Sequence, residues 1–144
     1  IIKTFNDYSD TEKRNIQISA FIKCVYELIS IDGKITEEEQ NKFMNFVEEI
    51  KTEFSDDLNA DSEEHKFVVG GRENIINAIK GFSDNELNFF FDTLISFALV
   101  DGELALEEAN MIAEIAAEIY PDLDSNEKLH DWMVQKIKES NSGD

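Results

Sequence analysis

The sequence predicts a small all-α domain, a bundle of about six or seven helices, and three observations carry that prediction. Apolar residues recur at helical spacing over long stretches, as in Ile18, Phe21, Ile22, Val25, Leu28 and Ile29. Chain breakers are scarce: 144 residues contain one proline and six glycines, too few for a many-stranded sheet that must turn every few residues. Short polar runs ending in Glu, such as Thr36-Glu37-Glu38-Glu39, stand ahead of the apolar stretches, where they would cap helix starts.

In chain order, the first helix is capped by Asp10 or Thr11 and runs to about residue 31. Asp32-Gly33 ends it, glycine being the usual residue for the left-handed turn past a helix. Thr36 then caps a second helix, with Glu39 at its third position, and Phe43, Phe46, Val47, Ile50 and Phe54 turn inward. Over 55–66 the periodicity fails, and Asp56, Asp57, Asp61, Glu63 and Glu64 crowd a solvated acidic loop. A third helix, about 72–80, buries Ile75, Ile76 and Ile79 and closes at Gly81.

Ser83-Asp84-Asn85-Glu86 is a second capping box. It opens the most hydrophobic helix of the chain, with Leu87, Phe89, Phe90, Phe91, Leu94, Ile95, Phe97, Ala98, Leu99 and Val100. Apolar on nearly all sides, this helix is expected at the centre of the core. Asp101-Gly102 breaks it, and a further helix over about 106–120 is stopped by Pro121. Asp124-Ser125-Asn126-Glu127 reads as a third capping box for a last helix, about 125–139, with Leu129, Trp132, Met133 and Ile137 inward. Residues 140–144 read as a disordered tail.

Two of these helix pairs repeat. At an offset of 69 residues, Ile29-Ser30-Ile31-Asp32-Gly33 lies over Ala98-Leu99-Val100-Asp101-Gly102, and Glu39 lies over Glu108. Asn41 matches Asn110, Phe43 matches Ile112 and Phe46 matches Ile115. The chain thus reads as one domain over 1–144, with a first repeat over about 16–54 and a second over about 84–120. Two hairpins around one core imply a pseudo-two-fold arrangement.

Two copies of an apolar helix ending in Asp-Gly-x-aliphatic-x-x-x-Glu resemble the TerB-like family of tellurite-resistance proteins, which includes the N-terminal domains of DjlA-type membrane co-chaperones. The resemblance extends from about Ile16 to Ile137. It implies a small, acidic, all-helical stress-response protein that assembles with other proteins near membranes. It also implies that shared acidic residues bind divalent metal. The matching positions here are Asp32 and Glu39 in one copy, and Asp101 and Glu108 in the other. The long acidic loop departs from the family pattern, and so does Lys34, whose charge beside Asp32 would offset the first site.

The residues themselves leave three readings of these acids open. The first is structural: Asp32 pins the turn by accepting backbone N–H groups, and Glu39 completes a box with Thr36. In the second copy position 105 is Ala, which cannot cap, so that reciprocal box does not account for Glu108, although its favourable place in the first helical turn still does. The second reading is a hard cation, Ca²⁺, Mg²⁺ or Mn²⁺. Each copy has the spacing of the second half of an EF-hand loop, but Leu28 and Ser30, or Phe97 and Leu99, fall where its first ligands belong. Asp32, Glu39, Asp101 and Glu108 would then have to share one ion. The third reading is a metal-free module that docks a basic protein partner.

Composition narrows the rest. With 13 Lys+Arg against 32 Asp+Glu, the net charge of −19 disfavours nucleic acid and anionic lipid surfaces and favours cations and basic proteins. Cys24 is the sole cysteine and sits among apolar helix residues, which excludes an internal disulfide and predicts an inert packed thiol. No apolar run is long enough for a membrane span, so the expected location is cytoplasmic, with membrane association only through partners. Ile1-Ile2-Lys3 is not a secretory signal, and without Met the native start is expected upstream. Glu127-x-x-His130 is a single copy of a motif that di-iron bundles need twice. Gly70-Gly71 lacks the longer pattern and the Lys of a phosphate loop. Phe89-Phe90-Phe91 is expected in the core, and no enzymatic constellation emerges.

Overall fold

The computed structural model describes residues 5–31, 33–54, 71–100 and 104–142, with side chains except at 51–54 and 140–142. Among these residues are six α-helices and no strand: α1 Asp10–Ser30, α2 Glu37–Phe54, α3 Arg72–Ile79, α4 Asp84–Ala98, α5 Leu106–Ile119 and α6 Asn126–Ser142. A single 3-10 turn, Phe5–Asp7, precedes α1. The all-α expectation and the helix order hold. The proposed acidic loop, 55–66, lies outside the described residues.

α4 packs against α1, α5 and α6, while α1 also packs on α2 and α3. This follows from side-chain chemistry. Leu87, Phe90, Phe91, Leu94, Ile95, Phe97 and Ala98 leave no broad polar face on α4, so it needs cover on several sides at once. A run of ring contacts joins the layers: Phe46 of α2 to Phe21 of α1 at 5.1 Å, Phe21 to Phe90 at 5.1 Å, Phe90 to Phe91 at 5.0 Å, and Phe91 to Trp132 of α6 at 5.0 Å. Most are tilted or edge-on, the arrangement that aromatic quadrupoles favour. Phe89 breaks the expectation for its triplet. It points away from the centre and is 47% exposed, because three consecutive helical residues cannot share one face.

Helix starts follow local chemistry closely. Ser83 and Glu86 form the expected box, with Glu86 N–H donating to Ser83 Oγ at 3.2 Å and Ser83 N–H donating to Glu86 Oε1 at 2.8 Å. Partial burial pulls the Glu86 carboxyl upward, but the Ser83 N–H and the Arg14 guanidinium at 2.8 Å outweigh it and leave the pKa below the usual value. α1 is capped by Ser9, one residue before the expected Asp10. Ser9 and Glu12 make a complete capping box that outcompetes Asp10 and Thr11. α6 begins one residue later than the expected box requires. Ser125 Oγ accepts from Lys128 N–H at 3.2 Å, and Asp124 instead pairs with Lys128 Nζ at 2.9 Å. The expected disordered tail is corrected over 140–142, where α6 continues to Ser142, and 143–144 lie outside the described residues.

Two glycines have distinct reasons. Gly33 follows α1 at φ +80°, and its N–H donates to Ser30 O at 2.9 Å, as predicted for the turn. Gly81 closes α3 for a different reason: a Cβ there would meet the Gln17 amide nitrogen at 2.8 Å. Gln17 is itself buried and donates to Ala78 O at 3.3 Å, tying α1 to the end of α3. Among the described residues no helix is long and apolar enough to cross a membrane.

These positions predict unequal costs for adjacent phenylalanines. Phe90→Ala should lose about 3–5 kcal/mol in urea unfolding, and Phe89→Ala less than about half of that. Equal losses would contradict the outward placement of Phe89.

Candidate acidic site

α2 and α5 start from the same backbone arrangement with different side chains. At α2, Glu39 N–H donates to Thr36 Oγ1 at 3.1 Å, and Thr36 N–H donates to Glu39 Oε1 at 3.0 Å. Gln40 N–H reaches Thr36 O at 2.9 Å. At α5, Ala109 N–H reaches Ala105 O at the same 2.9 Å. Ala105 occupies the cap with φ −66° and ψ 147°, the extended geometry that Ser9 and Ser83 adopt in their boxes, yet it offers no side-chain bond.

Both third-position glutamates are buried, Glu39 at 5% and Glu108 at 8% exposure. Burial sets them apart from the other acids of their first turns, Glu37, Glu38 and Glu107, which are exposed. A carboxylate out of water is costly unless donors or cations answer it. The start of a helix supplies backbone N–H groups and the positive end of the macrodipole, so both glutamates stand where negative charge is favoured. For Glu39 the Thr36 N–H is an identified donor. The capping reading of Glu39 is therefore realised. For Glu108 the reciprocal box is ruled out by the methyl group of Ala105, as the sequence indicated.

Asp32 and Asp101, the other two expected acids, lie outside the described residues, as does Gly102. Among the described residues, no three His, Cys, Asp or Glu side chains are grouped to hold a metal ion. Lys34, the cation expected to offset the first site, is exposed beside the start of α2. Hard carboxylate oxygens suit Ca²⁺, Mg²⁺ or Mn²⁺, whereas the one thiol is withdrawn from any such role. Cys24 is buried in the core, and burial, helped by the charge of Glu27, pushes its pKa up to about 12. Glu127 and His130 are both exposed on α6.

Other charged groups are structural and were missed from sequence. Arg72 at the start of α3 reaches Glu114 of α5 at 3.4 Å and Glu27 of α1 at 3.8 Å. Lys136 of α6 is buried, with Nζ 3.2 Å from Asn88 Oδ1 and 3.4 Å from Asp92 Oδ1 of α4. The only sequence signal for Lys136 was its position between the inward Met133 and Ile137, one turn apart.

The contrast between the two caps has a direct consequence. Ala105→Ser should stabilise the fold by about 0.5–1 kcal/mol in urea unfolding, because the backbone already has cap geometry and Glu108 stands at the third position. Thr36→Ala should cost about 1 kcal/mol. A destabilising Ala105→Ser would show that the start of α5 has no room for a reciprocal box.

The family described as tellurite resistance protein TerB matches residues 18–127, a span that holds α2 to α5 entire, most of α1 and both Asp-Gly segments. No curated protein and no solved structure matches the chain.

Proposed function

The chain belongs to the TerB family of tellurite resistance proteins, and from that premise we propose that it is a non-enzymatic acidic protein that binds or senses a divalent cation. Asp101 and Glu108 are the first pair of ligands, and Asp32 and Glu39 are the second. The observation that carries this reading is the burial of both Glu39 and Glu108, at the same third position of two helix starts in a repeated acidic motif. Of the two, Glu39 is accounted for by capping. Glu108 keeps the same position and burial, so both copies of the motif hold a buried carboxylate at an equivalent helix start.

The donor chemistry fits a hard ion. Carboxylates bind Ca²⁺, Mg²⁺ and Mn²⁺ at sites with several oxygen ligands, and on a chain of net charge −19 a shared ion would offset the repulsion between the acids that it gathers. The cation would supply charge compensation and would couple the two helix starts, so that binding becomes a stability or shape signal for a partner. The buried Cys24, its thiol pKa pushed up to about 12, is not placed to act as a nucleophile.

Thermal melting checks the proposal. Ca²⁺, Mg²⁺ or Mn²⁺ in large excess over its dissociation constant should raise Tm by mass action, the fold gaining on the order of 3 kcal/mol of stability at a hundredfold excess. The Asp101→Asn, Glu108→Gln double variant should lose that gain, and a chelator should reverse it. A Tm unmoved by millimolar ion would sink the cation reading.

A further inference from the structure

Away from the two helix starts, α2 and α4 enclose an open groove of about 520 Å³. Its exposed ring is Phe89, above the largely buried Phe46 and Phe97, and Glu49 and Asp92 are among its lining residues. We propose that this groove docks a basic amphipathic helix of a partner protein, with apolar side chains against Phe89 and Lys or Arg side chains against Glu49 and Asp92. A cleft between two helices is a common receptor for a third.

Three observations favour this occupant. Phe89 is 47% exposed although its neighbours Phe90 and Phe91 are fully buried, so a large ring is held ready at the surface. It is held firmly, edge-on to Phe21 at 5.7 Å, which limits the entropy lost on binding. The charges of Glu49 and Asp92 are complementary to a basic helix, within a chain of net charge −19 that would steer such a partner inward. Glu49 is exposed, and the Asp92 side chain keeps 54% exposure despite its contact with Lys136.

The groove also contains a cation, Lys42, but its charge is directed into the fold. Its Nζ donates to Ser96 O at 2.9 Å and to Ser96 Oγ, and it lies 4.8 Å from the centroid of the Phe97 ring. Partial burial lowers its pKa, in keeping with a lysine turned away from water. The outward-facing charges of the groove are therefore carboxylates, and Phe89 beside them suits the aliphatic stem or the guanidinium of an incoming Arg.

The test uses the full chain and a fluorescein-labelled Leu/Lys peptide about 14 residues long, roughly four turns, patterned as an amphipathic helix. Its scrambled isomer is the control for diffuse attraction. Fluorescence anisotropy should show saturable binding that weakens about tenfold with Phe89→Ala, and similarly with the Glu49→Gln, Asp92→Asn double variant. Glu73→Gln and Asp122→Asn, outside the groove, should change affinity less than about twofold. Amide NMR shifts should map to α2 and α4. Chelator should leave binding unchanged, so this outcome stands apart from the cation reading. Equal binding of the scrambled peptide, indifference to both groove variants, shifts elsewhere on the protein, or a Phe89-dependent dimer in place of peptide binding would each overturn the proposal.

Discussion

The burial of α4 is the constraint on which the other packing depends. Its inward residues include Phe90, Phe91 and Leu94, all fully buried, and each such side chain is worth about 1.5–3 kcal/mol when removed from water. One neighbouring helix cannot cover them. α1 covers the side bearing Phe90, α6 brings Trp132 to Phe91, and α5 adds Ile112 and Ile115 to the same core. The polar residues of α4 occupy what remains, and they are used. Asn88 and Asp92 meet the buried Lys136, and Ser96 receives Lys42. The same remaining surface holds Phe89 and the groove between α2 and α4.

Around this centre, the helix starts divide the acidic residues into two kinds. Most carboxylates are solvated and give the chain its charge. Those at third helical positions beside a Ser or Thr cap are consumed by local hydrogen bonds, as Glu12, Glu39 and Glu86 are. Glu108 has the position of this second kind without the cap side chain. The cation reading grows from the recurrence of a buried carboxylate at both helix starts, under a Thr cap in one copy and an Ala cap in the other.

Most of the fold was legible in the sequence because its determinants are local. Helical periodicity marked all six helices, Gly33 marked the turn after α1, and Pro121 marked the end of α5, which closes at Ile119. Where expectation and structure differ, competition between adjacent residues is the reason. Ser9 displaced Asp10 as a cap, Ser125 displaced Asp124, and helical geometry turned Phe89 out while Phe90 and Phe91 turned in. The buried glutamates were legible as motif positions, but their depth was not, since burial depends on helices distant in sequence. The same is true of Lys136, Gln17 and the Arg72 contacts, which join residues 42 to 61 positions apart.

The central claim is that Glu108 serves a cation while Glu39 serves its helix cap first. Side-chain carboxyl ¹³C resonances, followed during titration with diamagnetic Ca²⁺ or Mg²⁺, read both residues at once. The Glu108 carboxyl should shift saturably and further than the exposed Glu37, Glu38 and Glu107, with Glu39 following at the same midpoint. A uniform, non-saturating drift of all these carboxyls, with Glu108 moving no more than its solvated neighbours, would contradict the account.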